Sequence, residues 1–162
     1  MAEKLEEAVG ALLMEKKLTL ALGESCTGGL IGHRLTNVSG SSEYFLGGVV
    51  AYAYDAKERL LDVKHNTLYE YGAVSPETAV EMARGARRAL GADIGVSVTG
   101  IAGPGGGLPG KPVGLVYIAL SARDAERVER FVWDSDREGN KAHSAEAALK
   151  ILKEYLESHT PA

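Results

Sequence analysis

Three features of the sequence predict an α/β fold, a three-layer α/β/α sandwich around a mixed, mainly five-stranded sheet. Short apolar runs alternate with amphipathic segments through the first two thirds of the chain. The last two apolar runs are joined by a short polar turn, which makes an antiparallel pair and a mixed sheet. Apolar residues are 45% of the 162 positions and aromatics only 6%, so the core must be built from Val, Leu, Ile and Ala. A chain this long buries roughly 70% of the surface its unfolded form exposes and needs no covalent staples. Residues 1–162 read as a single domain, without internal repeat or linker.

The elements follow in order. Ala2–Lys17 places Leu5, Ala8, Val9, Leu12 and Leu13 on one helical face. Leu18–Leu22 is long enough only for a buried strand and runs into Gly23-Glu24-Ser25-Cys26-Thr27-Gly28-Gly29, after which Leu30, Ile31, Arg34 and Leu35 resume helical spacing. Ser39–Ser42 breaks the chain. Gly48–Tyr54 reads as a strand with Val50, Tyr52 and Tyr54 on one face, followed by helices over Asp55–Val63 and Asn66–Tyr71. Ser75-Pro76-Glu77 is a helix start: a capping serine, proline at the first position and an acid in the first turn. Asp93–Thr99 alternates as a strand, Gly100–Gly110 is a loop, Val113–Leu120 and Arg127–Trp133 form a hairpin, and Arg137–Leu156 closes as an amphipathic helix.

Charge and composition exclude several roles. The net charge is −4 with no basic stripe, which argues against a nucleic-acid partner. No apolar run approaches the roughly 18 residues of a spanning helix, and the first ten residues carry three glutamates and no apolar signal core, so no membrane partner is expected. One cysteine, Cys26, cannot form an internal disulfide and fits a reducing compartment; a cytoplasmic location is expected. No cluster of His, Cys, Asp and Glu has metal-ligand spacing, so no metal site is expected.

Glycine is in excess, with 20 residues, of which 14 fall within 23–32, 40–48 and 100–114. The first cluster is neither a P-loop, since Gly29-Leu30 stands where Lys and Ser/Thr are required, nor a G-x-G-x-x-G turn, nor a G-x-S-x-G elbow. It leaves a serine at a strand-to-helix turn, followed by amides suited to an oxyanion or phosphate. Ser25 thus reads either as a nucleophile or as a plain helix cap. A nucleophile needs a base, and none of His33, His65, His143 and His159 falls in a strand-end loop, which argues against a Ser-His-Asp triad. Lysine can serve if burial lowers its pKa by about 3 units, roughly 4 kcal/mol. Lys57, just past the Tyr52–Ala56 strand end, is best placed; a solvated surface charge is the alternative. Gly100–Pro112, directly after a strand, sits where α/β folds bind ligands. Arg137 and Lys141 put two cations at a helix start, where the dipole disfavours them, which suggests either an anion nearby or an exposed, salt-bridged helix end. Lone Trp133 reads as a packing residue.

Together and in order, Ala21–Gly29, Ser39-Gly40-Ser41-Ser42, Tyr52…Ala56-Lys57, Gly72-Ala73-Val74-Ser75 and Thr99–Pro104…Lys111-Pro112-Val113-Gly114 resemble the C-terminal domain of the competence/damage-inducible protein CinA, over roughly residues 5–156. The resemblance implies a nicotinamide-nucleotide amidase that converts nicotinamide mononucleotide and water to nicotinic acid mononucleotide and ammonia. It implies Ser25, Lys57 and Tyr52 as catalytic residues and no metal or organic cofactor. Larger relatives carry an additional N-terminal domain, whose activity is not expected of these residues. Two departures stand out: Tyr54 replaces a polar amide of many relatives, and Ser135-Asp136-Arg137 with Lys141 replaces a Gly-Asp-Arg and a following arginine.

The expected mechanism is acyl transfer: Ser25 attacks, neutral Lys57 takes its proton with help from Tyr52, and the amides of Cys26 and Thr27 hold the oxyanion. Substrate contacts are expected from Cys26, Thr27, Gly28, Ser41, Gly100, Ala102, Gly103 and Arg137. Arg137 and the glycine loops would hold the 5′-phosphate. The first and third glycine clusters would wall one pocket and the second shape its entrance. The expected partners are a small-molecule nucleotide and further copies of this chain. A non-catalytic nucleotide-binding module and a hydrolase of another small amide remain the alternatives.

Overall fold

The computed structural model describes residues 2–159. Met1 and residues 160–162 of the expected domain lie outside them. In chain order the elements are α1 (Leu5–Lys16), β1 (Leu20–Glu24), α2 (Leu30–Thr36), a one-turn 3-10 helix (Ser41–Glu43), β2 (Phe45–Val50), α3 (Tyr54–Leu61), α4 (His65–Tyr71), α5 (Pro76–Leu90), β3 (Ile94–Gly100), β4 (Leu115–Ala122), β5 (Glu126–Val132) and α6 (Arg137–Ser158). The sheet order is β2-β1-β3-β4-β5. β1 runs parallel to both neighbours, whereas β3, β4 and β5 alternate in direction, so the mixed five-stranded sheet is as expected.

The two faces of the sheet are built from different residues. Leu20, Leu22, Val96, Val98, Ile118 and Leu120 pack against Val9 and Leu13 of α1, Ile31 and Leu35 of α2, and Leu149 and Leu152 of α6. The alternate residues on the opposite face are small. There Ala21 and Ala119 meet α5, and the Ser97 hydroxyl donates to the Ala79 carbonyl at 2.6 Å. Small residues let α5 approach the sheet backbone. A Cβ on Gly95 would overlap the Ala83 carbonyl, and one on Gly85 would overlap the Leu61 carbonyl at the end of α3. The second helical layer, α3, α4 and α5, is therefore seated on backbone.

α5 starts as its sequence dictates. Ser75 accepts a hydrogen bond from the Thr78 amide, Pro76 opens the helix, and Gly91 closes it in the left-handed conformation. Such a serine cap is worth about 1 kcal/mol.

Two expectations are corrected. β2 ends at Val50, so Tyr52 and Tyr54 are not strand residues: the Ala51 amide closes on the Glu24 carbonyl at 2.9 Å, and Tyr54 opens α3. The alternation of Val50, Tyr52 and Tyr54 mimics a strand, but the carbonyls of Ala51 and Tyr52 are diverted to a lysine and leave the ladder. Ser41 lies at the wrong end of the sheet for the expected site. Its turn precedes β2, beside the start of β1, where the Leu20 amide donates to Tyr44. The parallel direction of β2 carries the Gly40–Ser42 segment away from the end of β1 that holds Ser25. Among the described residues no helix is long and apolar enough to cross a membrane, and no group of three His, Cys, Asp or Glu could hold a metal ion.

Candidate active site

β1 and β3 end side by side, and the chain leaving each forms one wall of a cavity of about 170 Å³. Ser25 and Cys26 line it from one strand end, and Thr99, Gly100 and Ala102 from the other. Tyr52, Lys57, Ala73, Val74 and Arg137 complete it. Larger cavities exist elsewhere, one among Arg84, Arg87 and Arg88 and another around Asp124, Tyr155 and His159. Neither is lined by a serine hydroxyl against a lysine amine.

Ser25 is the first residue after β1, tied back to the sheet by its amide donating to the Val98 carbonyl at 2.9 Å. Its hydroxyl caps no helix. Gly29 is the N-cap of α2, and the carboxylate that takes the first-turn amides belongs to Glu24. The Ser25 Oγ instead stands 3.0 Å from the Lys57 Nζ. Gly28 and Gly29 both have positive φ, 61° and 101°, which lets the chain double back between Ser25 and α2 without strain. Within this turn the Gly28 amide donates to the Ser25 carbonyl and the Leu30 amide to Thr27. Among the described residues, the amides of Cys26 and Thr27 have no partner on another residue.

Lys57 is 1% exposed and, among the described residues, has no carboxylate beside it. Its Nζ is bonded to the Ala51 carbonyl at 3.0 Å, the Tyr52 carbonyl at 3.1 Å and the Ser25 hydroxyl. A neutral amine has two N–H donors and one lone pair. As an ammonium Lys57 donates to all three neighbours; in the neutral form both donors go to the carbonyls, which only accept, and the lone pair is left for the serine. Burial without a counter-charge lowers the Lys57 pKa from 10.5 to about 8. The same burial pushes the neighbouring Cys26 thiol up to about 12, so it stays protonated and is no competing nucleophile.

Tyr52 is placed differently from its expected role. Its carbonyl holds Lys57, but its phenol oxygen accepts from Arg137 at 3.0 Å and its side chain is 59% exposed. Arg137, at the start of α6, also donates to the Gly103 carbonyl at 2.6 Å. Among the described residues neither Arg137 nor Lys141 forms an ion pair, and the Lys141 ammonium lies near Gly28. Two cations thus flank the rim with only neutral partners. Gly100 and Ala102 line the cavity; Gly103 meets it through Arg137. Thr27 and Gly28, expected as substrate contacts, do not line the cavity; the Thr27 hydroxyl is taken by Glu24 at 2.6 Å, and its amide has no partner on another described residue.

Three residues absent from the expected site support it. Glu24 anchors the serine turn. Asn140, fully buried, donates to the Ala102 carbonyl at 2.9 Å and accepts from the Ser135 amide, which ties α6 to the glycine loop. Tyr54 accepts from the Ala73 amide at 3.2 Å while the Ala73 carbonyl accepts from the Thr99 hydroxyl, so both backbone groups of that wall residue are held. A polar residue ending an otherwise apolar strand was the available signal for Glu24. The Tyr54 contact spans unrelated loops and had no local signal. Trp133 stacks on Phe131 and donates to Ser144, a packing role as expected.

Comparison with known proteins identifies the family and the fold. The CinA C-terminal domain family model matches residues 2–156. A putative competence-damage inducible protein of Moorella thermoacetica is 52% identical over 150 residues, covering 93% of this chain but 36% of its own length. The chain spans about a third of the curated relatives it matches. Crystal structures of a CinA superfamily protein from Klebsiella pneumoniae (TM-score 0.91, 31% identity, 97% of this chain and 100% of that one) and of a competence/damage inducible protein from Agrobacterium tumefaciens (TM-score 0.85, 39% identity, 98% and 100%) share the fold. With the family model spanning nearly its whole length and relatives of this identity, the chain belongs to the CinA C-terminal domain family.

Proposed function

We propose that this chain is an amidase that hydrolyses the carboxamide of nicotinamide mononucleotide to the carboxylate, releasing ammonia. The observation that carries the reading is the 3.0 Å contact between Ser25 Oγ and a buried lysine amine without a counter-ion. Ser25 Oγ attacks the amide carbon as its proton passes to the Lys57 lone pair. The Cys26 and Thr27 amides meet the oxyanion, and one such donor is typically worth about 2.7–4 kcal/mol. Collapse breaks the C–N bond, and Lys57 returns its proton to the leaving ammonia. Water enters by the same relay in reverse: Lys57 takes its proton, the acyl C–O bond breaks, and the proton goes back to Ser25.

The cavity of about 170 Å³ is smaller than the roughly 300 Å³ at which ordinary ligand pockets begin, so it encloses the amide-bearing ring only. The ribose phosphate would cross the rim to Arg137 and Lys141. Tyr52, through its carbonyl, orients the lysine. The cavity size favours one second reading, a hydrolase of another small flat amide, which a substrate panel separates. Ammonia release from the mononucleotide, measured for the wild type and Ser25→Ala, is the test. Release that depends on Ser25 is expected; near-normal turnover by the folded variant would overturn the mechanism.

A further inference from the structure

Glu24 is an acid in a strand whose five residues are all buried, and it is 2% exposed. A buried carboxylate needs partners. Among the described residues no cation touches it. Its Oε1 accepts from the Thr27 hydroxyl at 2.6 Å and the Ile31 amide at 3.0 Å, and its Oε2 accepts from the Gly32 amide at 3.0 Å. Ile31 and Gly32 are the second and third residues of α2, where a helix leaves amides unpaired and where negative charge is favoured. One side chain thus closes the loop that contains Ser25. It precedes the serine, grips the middle of the turn through Thr27, and holds the helix that follows.

The turn has few other restraints. Two internal hydrogen bonds join Gly28 to Ser25 and Leu30 to Thr27, across a pair of glycines with positive φ. Glycines there permit the turn but do not fix it. Because Glu24 satisfies the α2 amides and the Thr27 hydroxyl, the groups left over beside Ser25 are the Cys26 and Thr27 amides. We infer that Glu24 is a positioning residue that, through Thr27 and α2, holds those two amides as an oxyanion hole. It never touches substrate. The inference rests on acyl transfer at Ser25 and goes beyond it by naming what aligns the donors.

The test compares Glu24→Gln, Thr27→Val and Thr27→Ser with the wild type. Valine keeps the shape of threonine but removes the hydroxyl that ties the turn to Glu24; serine keeps the hydroxyl. Steady-state ammonia release from nicotinamide mononucleotide gives kcat and KM, and the acylation burst with p-nitrophenyl acetate reports on Ser25 independently of the amide substrate. For Glu24→Gln and Thr27→Val, kcat and burst rate should fall on the order of ten- to a hundredfold, below the full loss of a donor. KM should stay within about twofold, and the inflection near pH 8 should stay in place because Lys57 is untouched. Thr27→Ser should restore most of the rate. Should Glu24→Gln fail to fold, the two Thr27 variants decide.

Unchanged rates in Thr27→Val, a rise in KM at constant kcat, a shifted pH inflection, or no rescue by serine would each overturn the inference. A wild type that shows the Ser25 burst but releases no ammonia defeats the proposed substrate, and the positioning role is then decided on the burst rates. No Ser25-dependent acylation at all would overturn both.

Discussion

Glu24 and Lys57 are both buried at the Ser25 end of the sheet, yet the fold treats them in opposite ways. The carboxylate receives three donors, two of them first-turn amides of α2, so both of its oxygens are partnered. The ammonium receives two neutral carbonyls and a hydroxyl and no anion, which lowers its pKa to about 8. One group is fully hydrogen-bonded and holds a shape; the other is left poorly compensated so that its proton is mobile. Under the proposed mechanism the first supports and the second reacts.

Substitutions should divide along that line. The largest effect is expected for Lys57→Met, which should cut ammonia release by about a thousandfold or more, through loss of the base. Its thermal stability supplies the sharper check. The native lysine releases its proton near pH 8 and the unfolded one near 10.5, so the unfolded state binds more protons between those values. Wild-type stability gains from Lys57 as pH rises across that window, and the buried charge costs stability below it. The melting temperature of Lys57→Met relative to wild type should therefore be highest at pH 7 and decline towards pH 10.5. A constant difference would mean the lysine is not poorly compensated.

Glu24→Ala should do the reverse and lower stability by on the order of 3 kcal/mol at pH 7, because two amides and a hydroxyl lose their acceptor inside the protein. Denaturant melts would measure it, and a loss under about 0.5 kcal/mol would erase the contrast. Next in size is the pH profile of the wild type. With a base near pH 8, kcat/KM should rise about tenfold from pH 7 to 9 and then level. A profile falling over that range would require a protonated lysine. Smallest is Tyr52→Phe, which keeps the carbonyl on Lys57 and removes only the phenol oxygen at Arg137. A few-fold rise in KM with kcat nearly unchanged is expected. A large fall in kcat would restore the phenol to the proton relay.

The fold was legible where local chemistry decides structure. Ser75-Pro76 starts α5 and the polar turn after β4 makes a hairpin, because caps and turns act through neighbouring atoms. It was illegible at Ala51–Tyr54, where a lysine several residues ahead draws two carbonyls out of a strand-like pattern. Ser25 and Lys57 could be paired from strand-end positions, and in the structure they stand 3.0 Å apart. Ser41 could not be placed, since its distance from the site depends on the direction of β2. Two of the three partners of Glu24 lie seven and eight residues ahead, beyond any short motif.

The small-residue face of the sheet carries a consequence for the spacing of Ser25 and Lys57. Ser25 is set by β1 and Lys57 by α3, and between them stands α5, bedded on Gly95 and abutting α3 at Gly85. Peptide planes, unlike side chains, have no alternative rotamers with which to take up slack. The interval between Ser25 and Lys57 is thus gauged by rigid spacers, and drift in the Leu, Ile and Val of the other face can proceed without resetting it. A single added methyl at Gly85 would act as a shim, displacing α3 while Ser25 and Lys57 both remained intact.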